Sequence, residues 1–118
     1  MDLAAKLQLK RGQRIKATRA PESIAPDLDA INPMALSDEE PALLVFVADR
    51  STLEEQRTQI VTAAASDRLT WVSYPKSGQL GTDLNRDSLA ALLRTSGIQP
   101  VRQVAIDEVW SALRFRPA

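Results

Sequence analysis

The sequence predicts an α/β domain: an open, mostly parallel sheet with helices on both faces and a C-terminal antiparallel hairpin. Three observations carry that expectation. The run Leu43-Leu44-Val45-Phe46-Val47 is apolar without interruption, as in a strand covered on both faces. A helical pattern follows in STLEEQRTQIVTAAASD, and a second apolar run, Leu69 to Tyr74, comes directly after it. A strand–helix–strand unit of this kind crosses over right-handedly into a parallel pair. The stretch from Ala42 to Asn85 is therefore the part around which the chain is organised.

Taken in order, Asp2 to Gln8 reads as a short amphipathic helix, with Leu3 and Leu7 four residues apart on one side. Gly12 punctuates it. Gln13 to Thr18 then alternates through Ile15 and Ala17, which suits a half-exposed strand, and the flanking Arg14, Lys16 and Arg19 argue against burial on both faces. Pro21 to Pro41 contains four prolines, at 21, 26, 33 and 41, which break any long helix. A structureless loop of about 20 residues would be unusual in a compact domain. A turn of helix is expected after Pro21, with a brief strand near Leu28 to Ile31.

In the next helix Ser51 and Glu54 have the spacing of a capping box, and Leu53, Ile60 and Ala64 share one face. Arg57 interrupts that face, so its stem is expected along the edge of the stripe. Asn85 is placed to cap the following helix, with Asp87 near the positive end of its dipole. Leu89, Leu92 and Leu93 form its apolar stripe, Arg94 lies in its last turn, and Gly97 suits the left-handed conformation beyond it. Val101 to Ile106 and Val109 to Arg116 read as the two strands of a hairpin. Asp107-Glu108 lacks the glycine or asparagine of a two-residue primed turn, so a wider loop is expected.

The 118 residues amount to one domain, 1–118, large enough to bury a core without staples. The chain has no cysteine and no histidine. That excludes disulfides, thiolate or histidine zinc sites, cysteine–histidine nucleophiles and serine–histidine triads. A magnesium or calcium site built from carboxylates is not excluded on these grounds. No stretch approaches the ~20 apolar residues that span a bilayer, and MDLAAKLQLKRGQR has no signal-peptide core. A protein of the reducing cytoplasm, with no membrane partner, is expected.

The net charge is zero, so nucleic acid is not indicated as a partner. The distribution is uneven: Lys6, Lys10, Arg11, Arg14, Lys16 and Arg19 make the first nineteen residues basic. From Ala20 to Asp49 there is no lysine or arginine, while Glu22, Asp27, Asp29, Asp38, Glu39, Glu40 and Asp49 are acidic. The two segments either neutralise each other across the surface or leave a basic N-terminal face for an anionic partner.

Three short patterns, Tyr74-Pro75-Lys76, Thr82-Asp83-Leu84 and Val109-Trp110-Ser111-Ala112-Leu113-Arg114-Phe115, resemble the bacterial domain of unknown function 3052 family of small α/β proteins. The resemblance covers the C-terminal two-thirds and thins between Gly12 and Glu40, where only Gly12-Gln13-Arg14 and Ala20-Pro21 look alike. It implies a bacterial cytosolic protein and no particular chemistry. The element order also resembles the second half of a class I methyltransferase, a Rossmann-like arrangement; that likeness concerns fold and does not carry function. Adenosylmethionine or NAD would need a glycine-rich turn after the first strand. The chain has Thr18-Arg19-Ala20-Pro21-Glu22 there, so no cofactor is expected.

Ligands of open α/β sheets gather beyond the carboxyl ends of the strands, here after Asp49-Arg50 and after Tyr74-Pro75-Lys76. The loop from Pro75 to Leu84 is long and delivers the chain to a helix N-terminus, where free amides and the dipole attract anions. Lys76, Gly81, Thr82 and Asn85 are the candidate ligand-binding residues, for a small anionic or phosphate-bearing ligand. A plainer reading gives the same residues structural duties. Gly78 and Gly81 turn the chain, Thr82, Asp83 or Asn85 caps the helix, and Lys76 is solvated.

No catalytic residue is assigned. Tyr74 with Lys76 could transfer a proton and Asp49 or Asp83 could act as a base, but no nucleophile-plus-base constellation is visible. Trp71 and Trp110 fall in strands and are expected in the core. Arg102, Arg114 and Arg116 form a solvated face of the hairpin first and a partner surface second. The expected function is a non-catalytic binding or regulatory domain. The alternatives are an enzyme or nucleotide binder using the 75–85 loop, and a homo-oligomerisation module pairing through the hairpin.

Overall fold

A computed structural model describes residues 3–10, 12–31, 40–76 and 78–118. The described elements are helix α1 (Leu3–Lys6), strand β1 (Ile15–Thr18), helix α2 (Ala25–Ile31), strand β2 (Ala42–Phe46), helix α3 (Arg50–Ala65), strand β3 (Thr70–Pro75), helix α4 (Arg86–Arg94), strand β4 (Ile98–Ala105) and strand β5 (Trp110–Pro117). A single turn of 3-10 helix, Gln79–Gly81, precedes α4.

The five strands make one open sheet in the order β1-β2-β3-β5-β4. β1 pairs with β2, and β2 with β3, in parallel. The apolar runs of β2 and β3 therefore lie side by side as expected, Leu44 opposite Trp71 and Val45 opposite Val72. β5 runs antiparallel to both β3 and β4. The sheet is thus mixed rather than mostly parallel. The reason lies in the last crossover: α4 returns the chain two strand positions beyond β3, and the short 106–109 connection folds β5 back into the gap.

Alternation along the strands divides the core in two. Leu43, Val45, Val47, Val72, Tyr74, Leu113 and Phe115 join Leu53 and Ile60 of α3 and Leu89 and Leu93 of α4. Leu44, Phe46, Trp71, Trp110 and Ala112 join Leu7, Ile15, Ile24 and Leu28. Burying each large side chain is worth roughly 1.5–3 kcal/mol. Every residue of β2 is buried, which is why its sequence shows no alternation. Phe46 meets Trp110 edge-on, with ring centroids 5.2 Å apart.

Several local expectations change. The brief strand near Leu28 to Ile31 is instead part of α2. Pro26 falls in its first turn, where a missing N–H breaks no helical bond, and Ile24, Leu28 and Ile31 then share a face at helical spacing. The cap of α3 is Asp49, whose Oδ1 accepts from Thr52 N at 2.8 Å, so Ser51 and Glu54 form no capping box. With β2 ending at Phe46, extended backbone at Asp49 brings its carboxylate over the first free amides, and Glu54 is left to pair with Arg57 at 2.7 Å. The first helix spans Leu3–Lys6, and its expected start at Asp2 lies outside the described residues.

β4 carries one irregularity that matters for the site. Its register with β5 shifts between Pro100 and Arg102, leaving Val101 as an extra, exposed residue. A bulge of this kind reverses the side-chain alternation beyond it. Ile98 accordingly joins the α3–α4 side of the core, whereas Val104 packs on the other.

Candidate functional site

The carboxyl ends of β1, β2 and β3 share one edge of the sheet, and β4, parallel to β3, ends there too. Helices α3 and α4 begin at this edge. At α3 the positive end is already filled, because Asp49 accepts from Thr52 N and Asp83 Oδ1 accepts from Arg50 N at 2.8 Å. Arg50 Nε also donates to the Asp83 carbonyl at 3.4 Å. The hydrogen bonds from Thr52, with help from the charge of Arg19, hold the Asp49 carboxyl below its ordinary pKa. An incoming anion would meet two carboxylates there.

At α4 the arrangement is open. Asn85 and Ser88 form a reciprocal capping box, with Ser88 N donating to Asn85 Oδ1 at 2.9 Å and Asn85 N to Ser88 Oγ at 3.0 Å. Beside this cap runs a groove of about 640 Å³, its sides formed by Tyr74, Lys76, Asn85, Arg86, Gln103 and Ser111, with Asp87 at the helix end. Gln103 Nε2 donates to Tyr74 Oη at 3.2 Å and to Ser111 Oγ at 3.4 Å. Arg86 Nη1 donates to Gln103 Oε1 at 3.4 Å, and Ser111 Oγ to the Val104 carbonyl at 3.1 Å. Burial pushes the Tyr74 phenol above its usual pKa, against the opposing pull of Ser111 and Arg86. It stays a neutral hydroxyl. Lys76 is anchored through its backbone, its N–H donating to the Val109 carbonyl at 2.7 Å.

Of the four candidate residues, the structure brings two together. Lys76 and Asn85 both line the groove, whereas Gly81 and Thr82 stand outside it. Gly78 and Gly81 have φ of 82° and 63°, and a Cβ at either would meet nothing within 4 Å. Their requirement is for left-handed backbone, not for close approach of a ligand. Thr82 Oγ1 accepts from Leu84 N at 3.0 Å, and Asp83 is spent on α3.

Arg86 and Gln103 are not among the residues the sequence marks, and Ser111 enters there only within the Val109–Phe115 pattern. Arg86 carries the signal of a cation one residue past a helix cap. Gln103 joins Tyr74 only because the Val101 bulge turns it to that side.

Chemically, the groove offers two cations, a phenol, a serine hydroxyl and two carboxamides. Asp87 lies within 3.4 Å of Arg86 and tempers its charge. Among the described residues no group of three or more acidic side chains could hold a metal ion, and no helix is long and apolar enough to cross a membrane.

No family model, curated protein or solved structure matches the chain.

Proposed function

We propose that the chain is a non-catalytic binding or regulatory domain of the bacterial cytoplasm, related to the domain of unknown function 3052 family. It takes a small anionic ligand in the groove beside α4. One observation carries the reading: Lys76 and Arg86 converge on a groove whose wall, Tyr74–Gln103–Ser111, is already ordered by hydrogen bonds. Prealigned donors of this kind lower the ordering cost of binding. The filled N-terminus of α3 directs an anion to this site rather than to its neighbour.

The strand order supports a Rossmann-like, methyltransferase-like arrangement, with β5 inserted antiparallel between β3 and β4. The two core clusters, one with α3 and α4 and one with Leu7, Ile24 and Leu28, support helices on both faces. The loop after β1 has Arg19 at φ 62° and Pro21, with no glycine to admit a cofactor's phosphates, so the reading is of a relative that holds none.

The test is thermal melting with inorganic phosphate, phosphate monoesters and dicarboxylates. A ligand at a hundred times its dissociation constant stabilises by about 2.7 kcal/mol. The expected result is a shift for at least one of these anions that Lys76→Ala and Arg86→Ala each reduce. Should Lys76→Ala bind as tightly as the parent, the site is elsewhere.

A further inference from the structure

A second cationic surface lies across the sheet from the groove. Past the Val101 bulge, Arg102 falls directly opposite Arg114, whose neighbour on the other side is Trp71. Arg116, two residues on, projects from the same face. Arg116 grips Asp67 with Nε and Nη2 at 3.0 and 3.1 Å. Arg114 is half-buried: its Nη1 donates to the Gln8 carboxamide at 2.9 Å, and its buried Nε has no acceptor among the described residues. Arg102 is exposed and joins no ion pair among the described residues. Among the described residues, Asp67 is the one carboxylate that pairs with any of the three guanidinium groups, and it pairs with Arg116. Like charges set opposite each other on a ladder are destabilising, and a half-buried cation facing a neutral amide costs more than one facing an anion.

We propose that this face is a docking surface for a carboxylate-rich segment of a protein partner, seated on Arg102, Arg114 and Arg116. The two-point grip of Arg116 on Asp67 is the geometry by which guanidinium selects carboxylate, and it is already realised on this surface. Nucleic acid fits less well. Trp71 and Trp110 are 0% and 7% exposed, so this face lacks a platform for stacked bases. The surface is independent of the groove, since Arg102 and Gln103 project from opposite faces of β4.

The experiment is an NMR titration of the whole chain with a hexaglutamate peptide, at low ionic strength and at about 0.15 M salt. Shifts are expected at Gln8, Arg102, Arg114 and Arg116, weakening with salt. Arg102→Gln should reduce affinity by about fivefold and Arg102→Glu by more. Arg94→Gln, an equal loss of charge on the exposed side of α4, should leave it unchanged. Because residue 102 is exposed, these variants keep the fold, which circular dichroism verifies. The proposal is overturned by any of four outcomes. These are shifts confined to Lys76 and Arg86, unchanged affinity in Arg102→Gln, a single-stranded oligonucleotide binding as tightly as the peptide, and self-association that Arg102→Glu abolishes. A negative result leaves the groove untouched, and failure of the groove leaves this surface untouched.

Discussion

Asp83 stands in the loop that leads into α4, yet its carboxylate takes the amide of Arg50 at the head of α3. Together with Asp49 it closes that helix end and ties the 76–85 loop to a second element. Asp83→Ala should leave the fold intact but speed amide exchange at Arg50 and through residues 78–85, as hydrogen-exchange mass spectrometry would read. Asp49 gives a prediction with a sign. Its folded-state pKa is depressed by the Thr52 hydrogen bonds, so its contribution to stability is complete above the unfolded value of about 4 and is lost as pH falls through the folded one. Denaturant midpoints of the parent and of Asp49→Asn should therefore converge on acidification below about pH 4. Asn85 was legible as a cap from its type and position. Asp49 was not, because Ser51 is also a good cap and only the point where β2 ends decides between them.

At the scale of elements, the strong patterns translated directly and the weak ones did not. β2 and β3 were legible as unbroken apolar runs, and α3 and α4 from apolar residues that recur at helical spacing. α2 was legible only as a turn of helix after Pro21, because four prolines masked a short helix whose single buried side chain, Leu28, sets no period by itself. α1 has no buried residue of its own and is held from outside. Trp71 Nε1 donates to the Leu7 carbonyl at 2.9 Å, Arg114 holds Gln8, and Lys6 Nζ reaches the Ala105 carbonyl at 3.0 Å. Trp71→Phe leaves the Leu7 carbonyl buried without a donor, at a cost of about 1–3 kcal/mol. Urea unfolding should show that loss, and exchange over residues 3–9 should rise more than in β3. The site was half legible for a related reason: Lys76 and Asn85 are local signals, whereas Gln103 depends on a register no local signal encodes.

For the whole molecule, the question is how an open sheet of five strands keeps its edges to itself. At one end β1 is only four residues long and bears Lys16. At the other, β4 is eight residues long and is blunted three times over. Pro100 lacks an N–H, Val101 bulges, and Lys6 occupies the Ala105 carbonyl. Ala118 N donates to the Gly97 carbonyl, which by alternation puts the Pro100 nitrogen on the outer side of the strand. These features weigh against pairing of two copies through the hairpin. Light scattering should find little change of mass with concentration in the parent, and a rise once Pro100→Thr and Lys6→Ala free the edge.

The extra residue at position 101 has a consequence that reaches both proposed surfaces. It decides which way β4 faces, handing Gln103 to the tyrosine side and Arg102 to the arginine side. Shortening the strand by that one residue would turn its outer half over, carrying the carboxamide away from the phenol and the guanidinium away from its fellows. No single side-chain replacement in β4 could do this. Two proposed recognition faces that share no atom are thus governed by one step in the chain's phase.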